Sequence, residues 1–157
     1  MIQVGQSLPA AELSELTADG MQSHQVNELF ANKKVVLFAV PGAFTPTCSA
    51  SHLPGFVVNA DKIKAKGVDT IACVAVNDGF VMKAWGDAHN ADDIMMLGDG
   101  DASFTKALGL DMDTGSFGGV RSQRYAMVIE NGVVTQLHVE EPKQFEVSKA
   151  EAILAAL

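Results

Sequence analysis

Two runs, KKVVLFAV at residues 33–40 and DTIACVAVND at 69–78, decide the fold. Each is continuously apolar and rich in β-branched residues, as expected of a strand buried on both faces. Between them, PTCSASHLPGFVVNADKIKAKG (46–67) places Leu53, Phe56, Val57 and Ile63 at helical spacing and stops at Gly67. A strand, a long helical crossover and a second strand form a parallel βαβ unit. Pro54 lies inside the helical run and predicts a kink there.

Outward from this unit, GFVMKAWGDAH (79–89) reads as a helix, DIMMLGD (93–99) as a short strand and ASFTKALGL (102–110) as another helix. DMDTGSFGGVRS (111–122) reads as a Gly-rich loop, long enough to be functional. RYAMVIENGVVTQLHVE (124–140) carries a hairpin signal at Asn131-Gly132. VSKAEAILAAL (147–157) closes the chain with a helix, expected to be capped by Ser148 ahead of Glu151. No repeat, low-complexity tract or linker interrupts the pattern, so residues 1–157 are expected to form one domain. The order predicts an α/β fold of thioredoxin-like layout, a central mixed sheet flanked by helices whose last two strands are antiparallel.

Composition narrows the function classes. The 157 residues suffice for a core, and 48% hydrophobic against 19% charged residues excludes a disordered chain. A net charge of −8 argues against a general nucleic-acid binder and against docking on an anionic membrane. The opening MIQVGQSLPAAELSEL lacks the basic start and apolar block of a secretory signal, and no run is long enough to span a bilayer. The cytoplasm is the expected compartment. Two cysteines, Cys48 and Cys73, are too few for a disulfide scaffold and match no zinc spacing.

Cys48 stands on the connection after the first buried strand, where open α/β sheets gather their ligand and catalytic groups. Thr45 suits the N-cap and Pro46 the first helical position. That register sets the sulfur near unpaired backbone N–H groups at the positive end of a helix, which favours thiolate over thiol. A lone cysteine is most often a small buried hydrophobe. Thr45, Thr47, Ser49 and Ser51 surround Cys48 with polar neighbours, and this separates it from that base case. Cys73, inside TIACVAV, fits the base case as core filling.

PGAFTPTC (41–48) resembles the active-site signature of the peroxiredoxin family, Pro-x-x-x-Thr-x-x-Cys, with Pro41, Thr45 and Cys48 in its fixed positions. The longer PGAFTPTCSASHLPGF, with ACVAVNDGFVMKAWGDAH and SQRYAMVIENGVV, is similar to the peroxiredoxin-5 branch over nearly the whole chain. The resemblance implies a thiol peroxidase in which Cys48 attacks hydrogen peroxide or an organic hydroperoxide. It also implies that Thr45 bonds sulfur and peroxide, Pro41 shields the site, Arg124 holds sulfur and peroxide oxygen, and backbone N–H groups complete the oxygen site. Arginine suits that task because its charge is permanent and its donors are fixed in a fork. Arg121 is a candidate supporting group near the substrate. His52, four residues after Cys48, shares its helix face and either lines the pocket mouth or is a surface histidine. A Cys48/His52 metal pair lacks further ligands, and no metal or cofactor is expected.

Attack on peroxide leaves a sulfenic acid that a thiol must reduce. Relatives in this branch often carry a resolving cysteine near the C-terminal helix, whereas KQFEVSKAEAIL (143–154) has none, and the central strand is expected to hold Cys73 away from Cys48. The expected reductant is therefore external, glutathione with glutaredoxin. Two alternatives are a thioredoxin-dependent peroxidase and a non-enzymatic thiol sensor or chaperone-like module. The branch also suggests a homodimer, with Phe44, Phe80 and Trp85 either at the contact or in the core.

Overall fold

The computed structural model describes residues 1–157. The two apolar runs form β3 (Lys34–Ala39) and β4 (Thr70–Ala75), which pair in parallel with Phe38 opposite Cys73. On their outer sides β5 (Ile94–Gly98) pairs in parallel with β4, and β8 (Tyr125–Glu130) pairs antiparallel with β3. The hairpin around Asn131-Gly132 adds β9 (Val133–Val139) beyond β8. Asn131 at φ 49° and Gly132 at φ 77° take the left-handed conformations that such a tight turn requires. On the opposite edge, β1 (Glu12–Thr17) and β2 (Gly20–Gln25) form a hairpin that joins β5, giving the sheet order β2-β1-β5-β4-β3-β8-β9.

Side chains alternate across this mixed sheet and build a core on each face. Val36, Phe38, Ile71 and Cys73 pack with Ala126 and Val128 under α2 (Leu53–Lys64), α3 (Gly79–Ala88) and α5 (Ala150–Ala156), through Phe56, Ile63, Trp85 and Ile153. Val35, Leu37, Val74, Tyr125 and Met127 face the other way, against Val26 and Phe30 near α1 (Val26–Leu29) and Phe104 and Leu108 of α4 (Ser103–Leu108). Both faces are covered, which explains the unbroken apolar runs of β3 and β4. This is the thioredoxin-like arrangement anticipated from the strand and helix order.

Several local expectations are revised. The stretch 111–122 is a small antiparallel ribbon, β6 (Asp111–Asp113) with β7 (Val120–Ser122), in which Met112 faces Arg121. The edge hairpin β1–β2 and the short α1 had no counterpart in the sequence reading. Of β1 and β2 only Leu13 is buried, so their polar sequences show no clear apolar alternation. Ser148 does not cap α5; Lys149 occupies that position without a side-chain bond, and the Ser148 hydroxyl donates to Glu140 instead.

The kink expected at Pro54 takes the form of a wide π-helical turn at Cys48–His52. Leu53 N–H bonds back five residues to the Cys48 carbonyl, and Pro54 stands in the first turn of α2, where it needs no N–H. Such single wide turns recur at functional sites. Here the turn directs both Cys48 and His52 into the core, each fully buried.

Candidate active site

The sequence-predicted residues converge beyond the C-terminal end of β3. The loop 41–47 leaves the strand and delivers Cys48 at the start of the wide turn. Ala43 N–H donates to Asn77 Oδ1 at 3.0 Å, which ties this loop to the end of the neighbouring parallel strand. Trp85 Nε1 donates to Ser49 Oγ at 3.0 Å and ties the turn to α3. Neither Asn77 nor Trp85 was singled out from sequence as a support for the site, because each acts across more than 30 residues with no local motif.

Arg124, just before β8, reaches the same point from the antiparallel side. Its Nη2 donates to Cys48 Sγ at 3.1 Å. A permanent cation thus lies against the sulfur with a donor aimed at it, where charge would develop during attack. Nη1 of the same guanidinium meets His52 Nδ1 at 2.8 Å. Arginine has no acceptor, so Nδ1 must be the unprotonated nitrogen and Nε2 must carry the ring proton. His52 Nε2 lies 3.0 Å from the Ser148 carbonyl, which accepts that proton's hydrogen bond. Burial, reinforced by the Arg124 charge, lowers the His52 pKa to about 3, so the ring is neutral at working pH.

His52 is therefore not a pocket-mouth or surface residue. The cost of desolvating the ring is offset because both nitrogens find partners inside, and the ring holds Arg124 from behind. Arg121 is also placed differently from a substrate ligand: its Nη1 donates to the Pro41 carbonyl at 2.9 Å, and its guanidinium lies 5.8 Å from the Phe117 ring centroid. Gly42 leaves room for this packing, since a Cβ there would meet the Arg121 guanidinium and oblige that side chain to shift. Thr45 donates its hydroxyl proton to the Gly42 carbonyl at 2.7 Å and not to the sulfur. Its carbonyl accepts the Ser49 N–H, so Thr45 starts the helical chain by its backbone alone.

A cavity of about 610 Å³ opens over Arg124 and Pro41, bounded by Thr47, Met112, Gln123 and Phe145. Phe145 packs 5.8 Å beneath the Arg124 guanidinium and edge-on to His52 at 5.0 Å. Cys73 projects into the same core face as Cys48, closer in environment than its strand position suggested. Burial, with the Cys48 charge adding to it, pushes the Cys73 thiol well up, and both cysteines are free. No three His, Cys, Asp or Glu side chains cluster to hold a metal ion.

A neutral buried histidine carries a pH signature. The unfolded chain takes up a proton near the ordinary value of 6.5, while folded His52 resists protonation until about 3. The unfolded state thus binds more protons across that interval, and stability falls as pH drops from about 6.5 towards 3. Urea midpoints measured across this range should fall more steeply for the wild type than for His52→Gln. Glutamine keeps an acceptor for Arg124 and a donor for Ser148 but does not titrate. Equal slopes would show that His52 is not buried as the neutral ring.

A nucleophilic thiol under a guanidinium, at the strand ends of a thioredoxin-like sheet, defines a cysteine-based oxidoreductase. Residues 3–154 match the Redoxin family model. Peroxiredoxin-2C of Oryza sativa subsp. japonica is 49% identical over 99% of this chain and 98% of its own length. Peroxiredoxin-2E-2, chloroplastic, from the same plant is 52% identical over 99% of this chain and 72% of its own. The crystal structure of reduced Prx3 from Vibrio vulnificus in complex with H2O2 is 72% identical over 99% of each chain, with a TM-score of 0.98. The chain belongs to the peroxiredoxin family. It is accordingly a thiol peroxidase of that family.

Proposed function

We propose that the chain reduces hydrogen peroxide and organic hydroperoxides at Cys48 and is recycled by glutathione with glutaredoxin. The observation that carries this reading is the direct bond from Arg124 Nη2 to Cys48 Sγ. The thiolate attacks the terminal peroxide oxygen, and the O–O bond breaks. Sulfur is oxidised to sulfenic acid, and the other oxygen leaves as hydroxide or alkoxide and takes up a proton to become water or alcohol. Arg124 offers donors where charge develops on the peroxide oxygens. The Thr45 hydroxyl has its proton on Gly42, so its lone pairs are available to accept the peroxide O–H. Thr45→Val should slow single-turnover oxidation by about tenfold or more, and Thr45→Ser should restore it. A Val variant as fast as wild type would remove Thr45 from the site.

Glutathione then attacks the sulfenic sulfur and water leaves, giving a mixed disulfide that a second glutathione or glutaredoxin reduces. Support for an external thiol is chemical: Cys73 is fully buried and strongly disfavoured as thiolate, and residues 140–157 contain no cysteine. Because Cys48 Sγ is covered, a thiol as large as glutathione requires the Cys48–His52 turn to move. Cys73→Ala should keep most turnover with glutathione and glutaredoxin, and mass spectrometry should find one glutathione, on Cys48. Loss of turnover in a folded Cys73→Ala protein would refute external resolution. Peroxide consumption assayed separately with the glutathione/glutaredoxin and thioredoxin systems tests the reductant, and turnover with thioredoxin alone would overturn this choice.

The proposal takes residues 1–157 as one domain of the peroxiredoxin-5 branch. Peroxiredoxin 5 from Alvinella pompejana, 36% identical with a TM-score of 0.87, supports that placement. A homodimer is proposed through the exposed Phe44 and Phe80; Trp85 is fully buried and belongs to the core.

A further inference from the structure

Glu140 is a buried carboxylate with no cation paired to it, only 8% exposed. Burying such a group is costly unless donors replace its water. One oxygen, Oε2, accepts three: Ser148 N–H at 2.8 Å, the Ser148 hydroxyl at 2.7 Å and Glu146 N–H at 2.8 Å. Burial opposes its ionisation, yet these bonds outweigh burial and hold the carboxyl below its ordinary value. The carboxylate therefore folds residues 140–148 into a strap. Ser148, pinned at one end by its N–H and hydroxyl, presents its carbonyl to His52 Nε2. Phe145, within the strap, packs on both His52 and Arg124.

The strap also begins at Arg124. Glu140 N–H donates to the Arg124 carbonyl at 3.0 Å. A closed circuit results, from the Arg124 backbone through Glu140, Ser148 and His52 to the Arg124 guanidinium. A long flexible arginine is thus fixed at both ends relative to itself, and its remaining fork points at Cys48. We propose that Glu140 is a positioning residue for the peroxidase reaction, holding the His52 ring and the Arg124 fork in place through Ser148 without touching the reacting atoms. This rests on Cys48 being the peroxide-reactive thiol.

The test compares Glu140→Asp, Glu140→Ala and Glu140→Gln by the single-turnover rate of Cys48 with hydrogen peroxide and by ¹⁵N spectra of the His52 ring. Aspartate keeps the charge but falls short of the strap; glutamine keeps the reach with a neutral acceptor. The Asp and Ala variants should react about tenfold or more slowly, as misplaced groups do, and should lose the protected His52 Nε2–H resonance. The Gln variant should retain that resonance and most of the rate. Folded Asp or Ala variants with wild-type rate and resonance would overturn the proposal. If the Ala variant does not fold, the other two decide, because a Gln variant slower than Asp would show that charge and not reach is at work, and would also overturn it. A wild type that fails to react with peroxide at Cys48 would instead defeat the peroxidase reading, while the His52 spectra would still report on the circuit.

Discussion

Cys48→Ser is expected to abolish peroxide turnover while the protein keeps its fold. Serine is nearly isosteric with cysteine, and Arg124 Nη2 can donate to its hydroxyl oxygen as it does to Sγ. The added cost is a more polar atom in a fully buried position of the core, of the order of 1 kcal/mol when a hydrogen bond is retained. The chemistry does not survive the exchange. A serine hydroxyl is un-ionised at neutral pH, and nothing near position 48 is arranged as a base for it, since His52 Nδ1 is occupied by Arg124. Peroxide consumption with excess glutathione and glutaredoxin should drop to the level without protein, with the circular dichroism spectrum unchanged. Measurable turnover by the purified variant would move the nucleophile elsewhere, and Cys73 would be the residue to examine.

Arg124→Met should slow the reaction of Cys48 with peroxide by about 10²–10³, the usual loss when one preorganised donor to a developing charge is removed. Methionine matches the aliphatic stem but supplies neither the bond to Sγ nor the bond to His52 Nδ1. Two effects then add: the sulfur loses its cation, and a buried histidine acceptor loses its donor. Arg124→Lys should recover little, since one ammonium cannot serve Sγ and Nδ1 with the spacing of a fork. Stopped-flow oxidation of reduced protein isolates this step from recycling. If Arg124→Met reacts at the wild-type rate, the bond to sulfur plays no part in catalysis. Arg121→Met, which removes a bond to the Pro41 carbonyl but none to the sulfur, serves as the milder control.

The parts of the molecule legible in the sequence are those written in local signals. The apolar runs of β3 and β4, the helical spacing between them and the Asn131-Gly132 turn each declare themselves within a few residues. Together they determined the parallel βαβ unit, the mixed sheet and the site of Cys48 beyond a strand end. Pro54 announced a distortion, although its form as a wide turn five residues long depended on how the chain settled around Cys48 and His52. The polar hairpin β1–β2 escaped because its strands, with Leu13 their one buried residue, carry almost no apolar alternation to read.

Tertiary structure decided the polar circuit. Arg124 meets Cys48 across 76 residues, and His52 meets the Ser148 carbonyl across 96. A hydrogen bond over such a separation leaves no periodic trace, and a histidine at helical spacing looks the same whether its face meets water or a guanidinium. What settled His52 was the balance between desolvation, which keeps the ring neutral, and two partners, Arg124 from the residue before β8 and the Ser148 carbonyl from the strap. The thiol was visible in the sequence; the arrangement that holds a cation against it exists only once the strap, the wide turn and the sheet have packed together.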